Sequence, residues 1–310
     1  MNIFLMFFAR FVDGATGGII SLSNASVTDT TTPEERGKYI GRIMAGFSLG
    51  GFVAGPIIFT LFAYTGEYWS VIGPFALATF LSFISFMACI LFFPETLPKE
   101  KITKIPSIMY LLKQIVNTFD NLKIIFKHKD TKPFFIAAGV FYFAFAGFNT
   151  FTAQYLFSTY KFGADLAGLY LLIMGIIMTI MQAFLAYKIL KKYTMNSIIL
   201  YLSLGHSACM LIFTYAYVFS FGSVLVFIVA GLSAILVATI MVAMQSEITK
   251  IKTENKGALI GAFSSVQVLA MALSPIIIGY IATFSTHLPF VISAVLILIS
   301  GILFKVALSK

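Results

Sequence analysis

Nine stretches of about 20 predominantly apolar residues recur along this 310-residue chain, and they limit what it can fold into more than any other feature. A run of that length, wound as a helix rising about 1.5 Å per residue, crosses a hydrocarbon core of roughly 30 Å. Unpaired backbone groups cannot face lipid, so membrane-spanning chains are built from helices or from closed barrels. These runs are continuous and lack the apolar and polar alternation of barrel strands, so the helical option holds. The chain therefore reads as an all-α polytopic membrane protein. Spans are placed near residues 3–27, 40–63, 70–93, 134–157, 165–187, 197–217, 221–245, 258–283 and 287–307. Only 11% of the residues are charged, against about a quarter in a soluble domain, which excludes a soluble globular enzyme. Cys89 and Cys209 both lie inside apolar runs, so they are expected to pack, with no disulfide scaffold or zinc site. The first run outlasts a signal-peptide core and lacks a small-residue cleavage pattern, so it is expected in the mature protein.

The basic residues fix the expected orientation. Of 21, nineteen fall at alternate ends of the spans, eight of them between the third and fourth, whereas the opposite loops hold only Lys161 and Arg10 lies within the first run. By the positive-inside rule the nineteen are cytoplasmic, together with the C-terminus, in a multi-pass protein of the plasma or inner membrane. The net charge of +9 then reflects topology in the bilayer, not binding of nucleic acid. This arrangement puts Met1 outside with nothing before it to carry it across, which creates the expectation that part of the fold is missing.

An internal repeat bears on the same point. The loop from Glu34 through Arg36, Gly37 and Ile40 to Gly41 matches the one from Glu254 through Lys256, Gly257 and Ile260 to Gly261 at an offset of 220, and Pro56-Ile57-Ile58 matches Pro275-Ile276-Ile277 at 219. The first three spans thus correspond to the last three, as in transporters built from parallel repeats. A six-plus-six plan would leave residues 1–98 as an incomplete three-span bundle, with nine spans present of an expected twelve. Residues 134–310 would form a complete six-helix bundle, and residues 99–133 a basic cytoplasmic linker. In that linker Ile108, Leu111, Ile115, Phe119, Leu122 and Ile125 recur at three- and four-residue steps, the spacing of an amphipathic helix on the membrane surface.

Polar residues inside the spans are the candidates for chemistry. Arg10, Asp13, Gly17, Ser21, Asn24 and Thr28 fall on one stripe of a 3.6-residue helix, and charges at membrane depth mark substrate or proton pathways by default. The plainer alternative is that Arg10 and Asp13, three residues apart, simply neutralise each other. Span four presents Asn149, Thr150, Gln154 and Ser158, span eight Ser264, Gln267 and Ser274, and spans five and seven add Gln182 and Gln245. Such groups hydrogen-bond either a passing ligand or a neighbouring helix. Gly46, Gly50, Gly51, Gly55 and Pro56 in span two favour close packing and a bend. His128, His206 and His287 are dispersed, which offers no metal set and leaves His206 as a packing residue.

Taken in order, these motifs resemble the major facilitator superfamily. Arg10-Phe-Val-Asp-Gly14 is similar to the Arg-x-x-x-Gly signature of that family's fourth helix, and Gly51-x-x-x-Gly55-Pro56 to the antiporter signature of its fifth. Pro94-Glu95-Thr96-Leu97-Pro98, the Gly257 to Gly261 loop and Pro275 with Gly279 look like the tetracycline and multidrug:proton antiporter branch. The chain departs from the family at Phe59 and Thr60, where the antiporter signature often continues with two glycines, and between Lys188 and Tyr193, where the loop glycine and aspartate are absent. The resemblance, matched to family helices four to twelve, implies two bundles rocking about a central site and proton-driven export of a small amphiphilic substrate, with no cofactor. It also implies that Arg10 is linked to proton coupling, and that Gly51, Gly55 and Pro56 form the bend associated with antiport.

Three expectations follow. Asp13 titrates or binds a cationic group during transport. Asp29 and Glu247, each four residues after an alanine, cap a cytoplasmic gate with Arg36, Glu247 pairing with Lys188, Lys191 or Lys192. The polar stripe of span one faces a partly unlined space between bundles. The rival readings are a shortened, non-transporting remnant and a polytopic membrane enzyme. The enzyme is disfavoured because the chain has no His-Glu-x-x-His helix, no Gly-x-Ser-x-Gly elbow and no phosphate-cradling loop.

Overall fold

The computed structural model describes residues 3–96, 131–219, 221–251 and 256–309; the amphipathic pattern of the linker lies outside them. Among the described residues there are nine helices long and apolar enough to cross a membrane, and no strands. Three of the nine are interrupted. Span one divides into Ile3–Thr16 and Ile19–Thr30 at Gly17 and Gly18, two adjacent residues that each weaken a helix by roughly 1 kcal/mol relative to alanine. Span two runs as Arg36–Ser48, a π-helical Leu49–Ala54 and Gly55–Phe62. Pro56 has no N–H and its ring crowds the preceding turn, so the chain widens there and Gly55 N–H reaches back five residues to the Gly50 carbonyl. Span five repeats the device as Ala164–Ile180, Met181–Leu185 and Ala186–Lys192, with Ala186 N–H on the Met181 carbonyl.

The remaining spans are Glu67–Phe92, Lys132–Ser158, Met195–Tyr215, Gly222–Lys250, Lys256–Ala282 and Leu288–Leu308. Spans four to nine share one apolar core. Span nine packs on spans four and six, span eight on span four, and span seven on spans five and six. Serines stitch it, Ser274 donating to the Phe143 carbonyl at 2.6 Å and Ser300 to the Ala137 carbonyl at 2.8 Å. These bonds satisfy hydroxyls that would otherwise be stranded in an apolar interior. Span four begins at Lys132, two residues earlier than its apolar pattern suggests. The first three spans are arranged differently. The second half of span one packs on spans two and eight, and span three rests on the outer part of span two. The helix Ile3–Thr16 extends away with Phe4, Leu5, Phe7 and Phe8 exposed.

Candidate functional site between the bundles

Where the first three spans meet the other six, a chain of neutral amides crosses the contact. Asn24 Nδ2 of span one donates to Gln245 Oε1 of span seven at 2.9 Å, and Gln245 Nε2 donates to Gln267 Oε1 of span eight at 3.3 Å. All three side chains are buried, and Tyr142 of span four lies against Gln245. A second polar contact joins span two to span five, where Ser48 donates to Gln182 Oε1 at 2.7 Å. Among the described residues Asn24 Oδ1 and Gln182 Nε2 are buried with no hydrogen-bond partner. Each is a polar atom whose desolvation is uncompensated by roughly 1–3 kcal/mol unless a solute or water meets it.

Closer to the lysine-rich end lies an ionic layer. Arg36 is 7% exposed and its guanidinium bridges two helix ends, Nη1 to the Thr249 carbonyl of span seven and Nη2 to the Thr28 carbonyl of span one, both at 3.1 Å. The last carbonyls of a helix carry partial negative charge and lack intrahelical partners, so a cation is well placed there. Beyond this layer opens a cleft of about 670 Å³ lined by Glu34, Glu35, Tyr187, Lys191, Ser246 and Lys250.

Spans two and five approach backbone to backbone along this seam. A Cβ on Gly41 would stand 2.3 Å from the Gln182 carbonyl oxygen, and one on Gly175 would stand 2.6 Å from Phe52 Cβ. Gly51, singled out by the antiporter signature, has no neighbour within 4 Å of an added Cβ, and Gly55 meets only its own helix's Gly50 carbonyl at 3.5 Å. Together with Pro56 they shape the π turn and do not form the close contact.

The geometry corrects the placement of Arg10 and Asp13 and that of Asn149 and Thr150, and locates the other candidates. Arg10 and Asp13 do not face a bundle interior. Their side chains are 79% and 74% exposed and lie 3.5 Å apart as an i,i+3 ion pair, because Ile3–Thr16 lies beyond the packed region and the stripe is interrupted at Gly17. On span four, Asn149 donates to the Phe145 carbonyl and Thr150 to the Ala146 carbonyl, both at 2.8 Å, so these groups satisfy their own helix. Gln154 is exposed beside a 40 Å³ cavity that also touches Ser158 and Tyr155. Glu247 pairs with Lys250, one turn along its own helix, at 2.5 Å. Lys188, Lys191 and Lys192 are exposed, and so is Asp29. His206 is buried against Ser233, its Nδ1 3.0 Å from the serine oxygen.

Sequence reasoning missed Ser48, the Arg36 bridge and the Gly41 and Gly175 contacts. Gly41, Ala45 and Ser48 form a small-residue stripe at helical spacing that could have revealed the first and third. Nothing in a sequence marks a backbone carbonyl as an acceptor.

The described residues thus form a polytopic helical membrane protein in which the first three spans meet the other six through buried polar contacts. The chain belongs to the Major Facilitator Superfamily, whose family model matches residues 1–252. It is 28% identical over 195 residues to the class B tetracycline resistance protein of Escherichia coli, covering 62% of this chain and 45% of that protein. To the class H tetracycline resistance protein of Pasteurella multocida it is 22% identical over 290 residues, 92% of this chain and 67% of the relative. The chain thus spans between about half and two thirds of these proteins' length. Among solved structures the human organic anion transporter MFSD10 (TETRAN) superposes with a TM-score of 0.78 at 21% identity, covering 97% of this chain and 71% of that one. The Escherichia coli fucose:proton symporter FucP superposes with a TM-score of 0.63 at 12% identity, over 94% of this chain and 73% of the other.

Proposed function

We propose that this protein exports a small amphiphilic compound across the plasma membrane in exchange for protons, by alternating access. The observation that carries this reading is the amide chain from Asn24 through Gln245 to Gln267, which joins spans belonging to the two halves of the repeat. Interhelical hydrogen bonds in membranes contribute only about 0.6 kcal/mol on average, and an arginine bonded to carbonyls adds roughly 1.5–3 kcal/mol per bond. A closure of a few kcal/mol is within what a ligand's preference for one state supplies. In this reading the orphaned Asn24 Oδ1 and Gln182 Nε2 mark where a hydrogen-bonding solute is handed between states. Arg36, Asp29, Glu247, Lys188, Lys191 and Lys192 belong to the cytoplasmic closure, and Gly51, Gly55 and Pro56 to the hinge of span two. Arg10 and Asp13, an exposed pair outside the packed region, are given no part in it. Proton exchange and an amphiphilic substrate are supported by the resistance proteins among the relatives and by the antiporter-like signature.

Everted membrane vesicles containing the protein test this directly. An acid-inside gradient is expected to drive tetracycline or another amphiphilic compound inward, and a protonophore to abolish the uptake. Uptake equal to that of protein-free vesicles for a panel of such compounds contradicts export. Uptake indifferent to the protonophore contradicts proton exchange.

A further inference from the structure

At the start of span two, two cations share one aromatic ring. Lys38 Nζ lies 5.6 Å and Arg42 Cζ 5.5 Å from the centroid of Tyr39. The two are four residues apart on a helix, a spacing at which like charges repel. They also sit in the first turns after Arg36, where the helix dipole already places positive charge. Among the described residues neither makes an ion pair; the ion pairs described are Arg10 with Asp13 and Lys250 with Glu247. Three sources of positive charge are thus held together, and among the described residues no carboxylate, Glu34 and Glu35 included, is within ion-pair distance of either cation. Arg42 is exposed, and Lys38 and Tyr39 are half-buried, so the cluster opens outward from the helix.

Its place in the fold says what faces it. The cluster sits where the apolar run of span two begins, the level at which tyrosines and basic side chains meet lipid headgroups. At the same end of neighbouring span five, Lys192 lies 5.3 Å from the ring of Tyr193, and Lys188 and Lys191 are exposed. Contact between the two spans is direct there, Tyr187 Cδ2 standing 3.4 Å from the position of a Cβ on Gly37. We propose that Lys38, Tyr39 and Arg42 form a clamp for the phosphate of an acidic phospholipid. The guanidinium fork takes two phosphate oxygens, the ammonium a third, and the ring lies along the glycerol region. Arg36, which joins the ends of spans one and seven, is on the same turn of helix, so a lipid held by the clamp steadies the helix that carries the closure. This assignment is independent of what the protein transports.

The test uses the full 310-residue chain in detergent, with lipid retention followed by native mass spectrometry during titration with phosphatidylglycerol or phosphatidylcholine. Phosphatidylglycerol is expected to be retained preferentially. Lys38→Gln with Arg42→Gln should weaken it about thirtyfold, roughly fivefold for each cation removed. Lys256→Gln with Lys305→Gln, which removes two cations elsewhere, should weaken it less than threefold. Arg42→Lys, which keeps the charge and the helix, should fall between the two. Equal losses for both double variants would mean general attraction to a basic surface and overturn the clamp. So would no preference over phosphatidylcholine, or displacement of the lipid by inorganic phosphate at comparable concentration, which would identify a free-anion site.

Discussion

Asn24 and Gln245 show how much a single pair of side chains decides. An amide inside an apolar span must find a partner, and the amides at positions 24, 182, 245 and 267 all do so across helices. They were legible in the sequence for that reason. Asn149 was misleading because an asparagine can reach its own helix's carbonyl four residues back, and the sequence does not distinguish the two outcomes. Asn24→Ala and Gln245→Ala are each expected to lower thermal stability, with a coupling of about 0.6 kcal/mol and no more than roughly 1.7 in a double-mutant cycle. Denaturation in mild detergent measures it, and zero coupling would mean that the bond does not hold the halves together. The glycines give a sharper contrast. Gly41→Ala drives a methyl to 2.3 Å from a backbone oxygen that cannot rotate away, so about 1–3 kcal/mol of stability is expected to be lost as spans two and five separate. Gly51→Ala enters open space and is expected to leave stability within about 0.5 kcal/mol of the parent.

The nine spans could be read from hydropathy because the bilayer imposes a length and a composition on each. Their interruptions were less legible. The widened turn of span two has a visible cause in Pro56, whereas that of span five, at Met181–Leu185, has no proline or glycine in it and shows no sequence signal. Both interruptions lie on the pair of helices that form the seam. Replacing Pro56 by alanine restores a backbone donor, so span two is expected to regain an ordinary α-helical turn, to gain helix stability, and to lose transport through a stiffened hinge. A variant that transports at the parent rate while melting higher would show that the widened turn is only a local accommodation. The polar stripe of span one failed as a prediction for a related reason. Periodicity assigns residues to a face but does not say what covers the face, and the break at Gly17 and Gly18 separates buried Asn24 and Thr28 from exposed Arg10 and Asp13.

For the molecule entire, the polar contacts between the first three spans and the rest form layers toward the lysine-rich end. The amides come first, then Arg36 across the two helix ends, then the charged cleft. Helix Ile3–Thr16 lies outside these layers, with Phe4, Leu5, Phe7 and Phe8 exposed. The repeat read from sequence gives this arrangement its logic, since Thr28 and Thr249 close helices that correspond in the two halves and one arginine binds both. Among the described residues Arg36 makes no ion pair, and a latch made of carbonyls can be released without leaving a buried acid unpaired. Arg36→Gln is therefore expected to shift the protein toward the state open at this end. The most direct test of alternating access is the distance between spin labels at positions 30 and 250, on the exposed ends of spans one and seven, measured by electron-electron resonance in lipid nanodiscs. Two populations are predicted, a short one matching the bridged structure and a longer one that grows with substrate, with a change of pH and with Arg36→Gln. A single short distance under every condition, unchanged by Arg36→Gln, would contradict the account.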